Sequence, residues 1–277
     1  SPMKRISSVS VLVAGTMGAQ IAAHIANAGF PALLLDLDSQ TASEGLSKAK
    51  KLKPDPFFAR DTDKLITVGG FDTDLNKISQ SDWIIEAVVE RIDVKQKLLS
   101  EVESYRSSDS IISSNTSGIP ISDISDGFSK EFRRHWLGTH FFNPPRYLRL
   151  LEVIPTVDTD PNVTDAIVNF GCQRLGKGVV IAKDTPGFIG NRIGLFAVVQ
   201  ALRELVAGNF TIEEIDSITG PLLGRPRSAT FRTLDIAGID IFSAVTSDLT
   251  KRLNNKQERE EFSLCLLYTS PSPRDRG

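Results

Sequence analysis

Cysteine is scarce in this chain of 277 residues, and neither sign of charge is in excess. Its two cysteines, Cys172 and Cys265, cannot build a disulfide framework, so we expect a reducing compartment, the cytoplasm. The formal net charge is −2, which gives no electrostatic basis for binding nucleic acid or an anionic membrane. Runs of about 18 apolar residues are lacking, so no membrane-spanning helix is expected.

Short apolar runs separated by helical patterns fill the first two thirds of the chain. A valine-rich strand at 9–13, a glycine turn, an alanine-rich helix at 19–28 and a strand at 32–35 form one βαβ unit. Similar patterns predict further strands at 65–68, 83–89, 110–114, 136–142, 150–154 and 179–182, and helices at 39–51, 92–105 and 164–175. We therefore predict a Rossmann-type, doubly wound, mostly parallel α/β sheet over residues 1–184.

The pattern changes after Asp184, where no further strands are predicted. We expect a smaller all-α domain over 185–264, which begins with a helix at 191–206. Residues 265–277 contain the string Cys-Leu-Leu-Tyr-Thr-Ser, which resembles the translation of a transposon-type sequencing adapter. We exclude this tail from the fold, and we expect the helical domain to be incomplete.

A glycine turn links the first strand to the first helix. The six positions of Gly-x-Gly-x-x-Gly read Val-Ala-Gly-Thr-Met-Gly from Val13 to Gly18, so the second and third glycines are present. These two let a pyrophosphate approach the N–H groups of a helix N-terminus and let helix and strand pack closely. We predict that Gly15, Thr16, Met17 and Gly18 contact a dinucleotide.

Val13 takes the place of the first glycine, and three explanations stay open: a strained but tolerated turn, a natural lesion and a sequence error. Asp36 gives the motif the context that lone glycines lack, since it ends the second strand 21 residues after Gly15. Its carboxylate is expected to bind the adenosine ribose and to repel a 2′-phosphate, which favours NAD over NADP. The alternative is an acid in a surface loop.

Of the three histidines, one lies where an α/β fold places its ligands. His24 lies in the first helix and His135 in a charged stretch, where structural or solvated roles are expected. His140 lies at the end of a predicted strand, and a neutral histidine can take the hydroxyl proton when a secondary alcohol is oxidised by hydride transfer. Glu152 lies in an apolar run and would orient that imidazole, but spacing alone leaves structural roles open for both.

Five motifs, in register, resemble those of 3-hydroxyacyl-CoA dehydrogenase. They are residues 11–18, Ser114-Asn115-Thr116-Ser117, His140-Phe141-Phe142-Asn143-Pro144, Leu151-Glu152-Val153-Ile154 and the segment DTPGFIGNR at 184–192. The resemblance runs through most of the chain and is closest to the bacterial fatty-acid β-oxidation type. It implies NAD-dependent oxidation of an (S)-3-hydroxyacyl-CoA to a 3-oxoacyl-CoA.

The resemblance also implies roles for the residues around the substrate. His140 is the expected general base, and Glu152 is its orienting partner. Ser117 and Asn191 are expected to hydrogen-bond the reacting oxygen and the thioester end of the substrate. Asn143 is expected to line the same site.

Three further residues are implied to contact NAD. Glu90 and Lys95 match positions on the nicotinamide side, and Asn115 is assigned to the cofactor as well. The alternative for Glu90 and Lys95 is a solvated helix start, and the alternative for Ser117 is a helix N-cap. No metal site is predicted.

The implied partners are an acyl-CoA substrate, a second copy of the full-length protein in a homodimer, and a hydratase domain on the same native chain. Two other functions stay open. One is a related dehydrogenase of 3-hydroxybutyryl-CoA or a short hydroxyacid. The other is a non-catalytic dinucleotide-binding relative, which the set of Ser117, His140, Glu152 and Asn191 argues against.

Overall fold

The computed structural model describes residues 3–13, 15–147, 150–182 and 184. The chain divides into two units, Ser1–Pro186 and Gly187–Gly277, and the described residues belong to the first. The predicted helical domain, the adapter-like tail and Asn191 lie outside the described residues.

A sheet of eight strands forms the centre of the first unit, in the order β3-β2-β1-β4-β5-β6-β7-β8. Its strands are β1 (Val9–Val13), β2 (Ala32–Asp36), β3 (Ile66–Gly70), β4 (Trp83–Ala87), β5 (Ile111–Ser114), β6 (Trp136–Phe141), β7 (Leu150–Pro155) and β8 (Gly178–Ile181). Strand β1 pairs with β2 on one side and with β4 on the other, so the strand order reverses at β1. Neighbours in this sheet are parallel, except that β7 runs antiparallel to β6.

The helices of the described residues connect these strands. They are α1 (Thr16–Asn27), α2 (Ser39–Lys50), α3 (Ile92–Tyr105), α4 (Ile121–Ile124), α5 (Lys130–Arg134) and α6 (Pro161–Gln173), with 3-10 turns at Thr62–Leu65 and Leu75–Gln80. In two of them the N-cap residue itself is a capping aspartate: Asp38 accepts a hydrogen bond from an N–H of α2, and Asp160 accepts one from α6. None of these described helices has the length and apolar character needed to cross a bilayer.

The predicted doubly wound, mostly parallel sheet is confirmed, and the predicted strands and longer helices are present with bounds shifted by at most three residues. Helices α4 and α5 were not predicted, because four and five residues contain too little periodicity to identify a helix. The antiparallel direction of β7 was not predicted either.

Aromatic rings join the sheet to α6. The Trp83 ring on β4 lies 6.4 Å from the Phe141 ring at the end of β6 and 5.8 Å from the Phe170 ring on α6, measured between centroids. Trp83 is fully buried, and all five residues of β1 are buried too. Burial on both faces is what a parallel sheet covered by helices requires. Strand β6, which contains His140, is thus held in the buried core through the contact of Phe141 with Trp83.

The direction of the strands brings the predicted site residues that the structure describes to one edge of the sheet. Strands β1, β2, β4, β5 and β6 are mutually parallel, so their carboxyl ends meet there. Open α/β sheets bind ligands outside these ends, at the point where the strand order reverses. The crevice between the ends of β1 and β4 is that point in this chain.

Val13 and Gly18 pack directly against each other where β1 meets α1. A Cβ built on Gly18 would lie 1.7 Å from Val13 Cγ1, which no real contact allows. The Val13 side chain therefore fills the space beside a residue that must be glycine. Among the described residues, only glycines have a positive φ, so Val13, the last residue of β1, does not have a left-handed backbone conformation.

The substitution Gly18→Ala is expected to lower the free energy of unfolding by about 1–3 kcal/mol, because the new methyl group overlaps the buried Val13 side chain. In a Val13→Gly background the same substitution should cost clearly less, since the overlapping atoms are gone. Urea unfolding of the four chains measures both losses.

Gly45→Ala is the matched control for this experiment. Gly45 lies within α2, and a Cβ there meets no described atom within 4 Å, so the change should be neutral or stabilising. Equal losses for Gly18→Ala in both backgrounds would contradict the packing argument.

Candidate active site

The turn between β1 and α1 presents backbone N–H groups at the carboxyl edge of the sheet. Gly15 is the N-cap of α1 with φ +99°, and a Cβ there would meet no described atom within 4 Å. Thr16 and Met17 follow with exposed and half-buried side chains, and Gly18 is buried. Open space over Gly15 and the positive end of a 12-residue helix fit a bound pyrophosphate.

Asp36 ends β2 beside this turn. It is 4% exposed, so the alternative of an acid in a surface loop is wrong. Its Oδ1 accepts a hydrogen bond from Leu37 N–H at 2.7 Å, and the backbone N–H of Gly15 lies close enough to lower the pKa of the carboxyl. Burial raises the pKa of Asp36, these N–H groups oppose the rise, and the charge of Asp38 adds to it. The carboxylate is placed to accept from a ribose hydroxyl and to repel a phosphate.

His140 and Glu152 face each other across the antiparallel pair β6–β7. They are direct partners in the register, and His140 Nδ1 lies 3.4 Å from Glu152 Oε2. The His140 side chain is 13% exposed, and that of Glu152 is 0% exposed. The edge of the imidazole also packs on Phe142, with 4.6 Å between ring centroids. The pair is therefore a carboxylate–imidazole contact closed to water on the carboxylate side.

The other two histidines lie elsewhere. His24 lies on α1, where burial and the nearby Lys177 ammonium lower its pKa to about 3. His135 follows α5, and its Nδ1 lies 2.9 Å from the carbonyl oxygen of Glu131. His135 is half-buried rather than solvated. Of the three histidines, His140 alone lies near the carboxyl end of a strand.

Asn115 holds the end of β6 in place. The ladder between β5 and β6 ends at Ser114 and Gly138, yet β6 continues to Phe141. Asn115 Oδ1 accepts a hydrogen bond from Phe141 N–H at 2.8 Å. The side-chain oxygen thus takes the place of the backbone carbonyl that would bond this N–H if β5 continued. The residue predicted to bind the cofactor thus also restrains the backbone next to His140.

Glu90 and Ser117, from the loops that follow β4 and β5, contact each other. Both Ser117 N–H and Ser117 Oγ donate to Glu90 Oε2, at 3.2 and 3.4 Å, and the Thr116 hydroxyl donates to Glu90 Oε1. Burial tends to raise the pKa of Glu90, but these donors and the Lys95 ammonium hold it below its ordinary value. The N-cap alternative for Ser117 is wrong, since α4 starts at Ile121 with Pro120 as its N-cap.

Lys95 is buried rather than part of a solvated helix start. Its side chain is 1% exposed, and Nζ lies 2.6 Å from Oε1 of Glu86 and 3.6 Å from Oε1 of Glu90. The solvated alternative is therefore wrong for Lys95, whereas the Glu90 side chain is 46% exposed. Glu86 was missed from the sequence. Its signal was an acid inside the apolar run of β4, with a lysine nine residues later.

Asn143 lies in the loop after β6, where it is exposed.

Asp184, which the sequence presents only as the start of a motif, has a structural role at the start of α4. Its carboxylate accepts hydrogen bonds from the N–H groups of Ile121 and Ser122, at 2.6 and 2.8 Å, and so caps α4. The end of the described chain is thereby tied to the segment that follows Ser117.

Comparisons with known proteins agree with this geometry. Residues 8–185 match the family model described as 3-hydroxyacyl-CoA dehydrogenase, NAD binding domain. Residues 187–268 match the one described as 3-hydroxyacyl-CoA dehydrogenase, C-terminal domain. The residues around the glycine turn and Asp36 thus lie in an NAD-binding domain.

Individual relatives point the same way. A probable 3-hydroxyacyl-CoA dehydrogenase of Bacillus subtilis is 43% identical over 94% of this chain, and one of Deinococcus radiodurans is 46% identical over 88%. The chain spans 36% of the length of the former and 73% of the latter. The crystal structure of (S)-3-hydroxybutyryl-CoA dehydrogenase PaaH1 from Ralstonia eutropha is similar with a TM-score of 0.60 and 26% identity, covering 94% of this chain and 92% of that one. This chain belongs to the 3-hydroxyacyl-CoA dehydrogenase family.

Proposed function

We propose that this chain oxidises an (S)-3-hydroxyacyl-CoA to a 3-oxoacyl-CoA with NAD, as a step of fatty acid β-oxidation. The observation that supports this best is the contact of 3.4 Å between His140 Nδ1 and the fully buried Glu152 carboxylate. It lies beside the carboxyl edge of an NAD-binding sheet. Binding a dinucleotide needs no proton acceptor at that place, so the pair argues against a non-catalytic relative.

His140 acts as the general base. Its Nδ1 faces Glu152, so we assign the other ring nitrogen, Nε2, to take the proton of the substrate's 3-hydroxyl group. The imidazolium that forms is stabilised by the Glu152 carboxylate, which also keeps the ring oriented. NAD, when bound, supplies the acceptor for the hydride that leaves C3, and the C–O bond becomes a carbonyl.

The remaining site residues bind and orient. Ser117 and Asn191 are assigned to the reacting oxygen and the thioester end, with Asn143 lining the same site. Glu90 and Lys95 are assigned to the nicotinamide side. Ser117 suits its role because its hydroxyl is exposed while its backbone is restrained through Glu90.

The glycine turn and Asp36 would hold the other half of NAD. Gly15, Thr16, Met17 and Gly18 offer the pyrophosphate the start of α1, and Asp36 accepts from the adenosine ribose. Asn115 is assigned to the cofactor too, in addition to its contact with Phe141.

The proposed partners follow from the family and from the length of the relatives. The substrate is an acyl-CoA, and the full-length protein forms a homodimer in the cytoplasm. A hydratase domain on the same native chain is part of this proposal, supported by two Rickettsia relatives named putative fatty acid oxidation complex trifunctional enzymes, of which this chain covers 35%.

A second candidate differs only in chain length. The similarity to the Ralstonia structure supports 3-hydroxybutyryl-CoA as an alternative substrate. Both candidates use His140 and differ in the acyl pocket, so one set of assays separates them.

The direct test is NADH formation by this 277-residue chain with NAD and either (S)-3-hydroxybutyryl-CoA or a long-chain (S)-3-hydroxyacyl-CoA. Turnover of either supports the proposal, and the ratio of the two kcat/KM values gives the chain-length preference. If the chain binds NAD but forms no NADH from either substrate, the proposed activity is wrong.

The substitution His140→Gln is expected to lower kcat by about 10²–10⁴, because glutamine cannot accept the hydroxyl proton. Binding of NAD, followed by equilibrium titration, should stay close to that of the unaltered chain. His135→Gln is the matched control, since His135 is bonded to its own helical turn and should keep the full rate. A fully active His140→Gln chain would exclude His140 as the base.

The substitution Asp36→Asn is expected to lower the preference for NAD over NADP without lowering the stability of the chain. Since the pKa of Asp36 is raised, stability falls as pH rises from the ordinary carboxyl pKa through the raised one, and asparagine removes this loss. The melting temperature of the unliganded chain at pH 7 should therefore be unchanged or higher. The preference for NAD over NADP should fall by about tenfold or more, because the repulsion of the 2′-phosphate is lost.

Asp82→Asn is the control for this pair of measurements. Asp82 precedes β4 at the opposite edge of the sheet and contacts Lys4. Its replacement removes the same charge and should leave the ratio of NAD to NADP affinity unchanged. An unchanged ratio for Asp36→Asn as well would contradict the role assigned to Asp36.

A further inference from the structure

A second buried carboxylate, Glu86 on β4, lies outside the proposed chemistry. Its side chain is 0% exposed and faces the 1% exposed Lys95 at 2.6 Å. Glu86 Oε1 also accepts from Val88 N–H at 3.0 Å, and Oε2 accepts from the Ser114 hydroxyl. Burial raises the pKa of Glu86, while the Lys95 ammonium and these donors oppose the rise. Burying a carboxylate here costs desolvation free energy, and the contacts with these partners offset that cost.

The Lys95 ammonium connects Glu86 to the loop after β4. Nζ donates to the carbonyl oxygen of Val88 at 3.2 Å and lies 3.6 Å from Glu90 Oε1. One cation therefore bridges two carboxylates, of which one is buried and the other reaches the surface of the candidate site.

The Ser114 hydroxyl connects Glu86 to the loop after β5. Ser114 Oγ donates to Glu86 and accepts from Thr116 N–H at 3.1 Å. The Thr116 hydroxyl in turn donates to Glu90. The contacts close a ring from Glu86 through Ser114, Thr116, Glu90 and Lys95 back to Glu86.

Stability alone does not explain such a ring. Apolar side chains of similar volume usually stabilise a protein as well as or better than a buried ion pair does. The ring instead joins the two loops that present Glu90 and Ser117. With Glu86 paired as a carboxylate to the Lys95 ammonium at 2.6 Å, the ring has two carboxylates and one ammonium, which leaves one net negative charge beside the assigned nicotinamide position.

We propose that Glu86 is a positioning residue that holds Glu90 and Ser117 through Lys95 and Ser114 and keeps this cluster negative, which favours the cationic, oxidised nicotinamide over the neutral, reduced one. The inference rests on the proposed function, which assigns Glu90 and Lys95 to the nicotinamide side. It extends that function by giving a buried residue, with no contact to substrate or cofactor, control over which redox form binds.

The variant Glu86→Gln tests the charge directly, since glutamine keeps the shape and removes the negative charge. The dissociation constant of NAD⁺ is expected to rise by about tenfold, because the cluster loses the net negative charge that favours the cationic ring. The dissociation constant of NADH should change by less than about threefold, because its ring carries no charge. Equilibrium titration of the 277-residue chain with each form measures the ratio.

The double variant Glu86→Gln/Lys95→Met restores the net charge of the cluster. The ratio of NAD⁺ to NADH affinity should then return toward that of the unaltered chain. Ser10→Ala is the control for stability, since Ser10 lies on β1 of the same sheet and loses a buried hydrogen bond with Ser81, outside the ring. It should lower the melting temperature and leave the ratio unchanged.

Three results would overturn the proposal: an equal change of both dissociation constants in Glu86→Gln, no change of either, or a double variant as altered as the single one. If Glu86→Gln does not fold, Glu86→Asp keeps the charge on a shorter side chain. It should then weaken both redox forms by a similar factor, and unchanged affinities would contradict the positioning role.

Failure of the proposed function shows itself separately. An unaltered chain that binds NAD⁺ without oxidising any 3-hydroxyacyl-CoA refutes the activity. The binding ratios of the Glu86 variants are obtained without turnover, so they test the positioning role in either case.

Discussion

A carboxylate inside a protein must find partners, because taking its charge out of water is costly. The central sheet of this chain buries two such groups with no exposed surface, Glu86 on β4 and Glu152 on β7. Glu86 meets the Lys95 ammonium at 2.6 Å, and Glu152 meets the imidazole of His140 at 3.4 Å. Each buried acid therefore requires a basic partner beside it, Lys95 for Glu86 and His140 for Glu152. The candidate site is built around these two requirements.

The parallel sheet brings the two pairs to the same side of the molecule. Strands β1, β2, β4, β5 and β6 end at one edge, so their following loops are neighbours although the chain separates them widely. The loops after β4 and β5 are joined by Glu90 and Ser117, and the end of β6 is joined to β5 by Asn115. Hydrogen bonds between loops thus replace the strand ladder where the ladder ends. Side chains in such loops are restrained by these contacts rather than left to move independently.

Much of the fold was predictable because a parallel sheet leaves a strong pattern in the sequence. Apolar runs such as 9–13 and the helix at 92–105 follow from local periodicity, and a βαβ connection has one favoured hand. The cofactor site was predictable because the glycine turn, followed by an acid at Asp36, is a recognisable dinucleotide-binding motif. Glu86 was missed because the sequence alone does not show which side chains contact an acid within a strand. The space for the Val13 side chain also depends on a neighbour, since Gly18 has no side chain to overlap it.

The sequence by itself determined the dinucleotide-binding unit and the family resemblance. It also predicted the three residues on which the proposed chemistry rests, Asp36, His140 and Glu152. These features are local, or they depend on the order of motifs along the chain. Tertiary structure alone decided that β7 runs antiparallel to β6, which sets His140 opposite Glu152. It also decided that Lys95 turns inward to Glu86 rather than outward to solvent. Strand direction and the burial of a charge both depend on contacts between distant segments, and no periodicity along the chain encodes them.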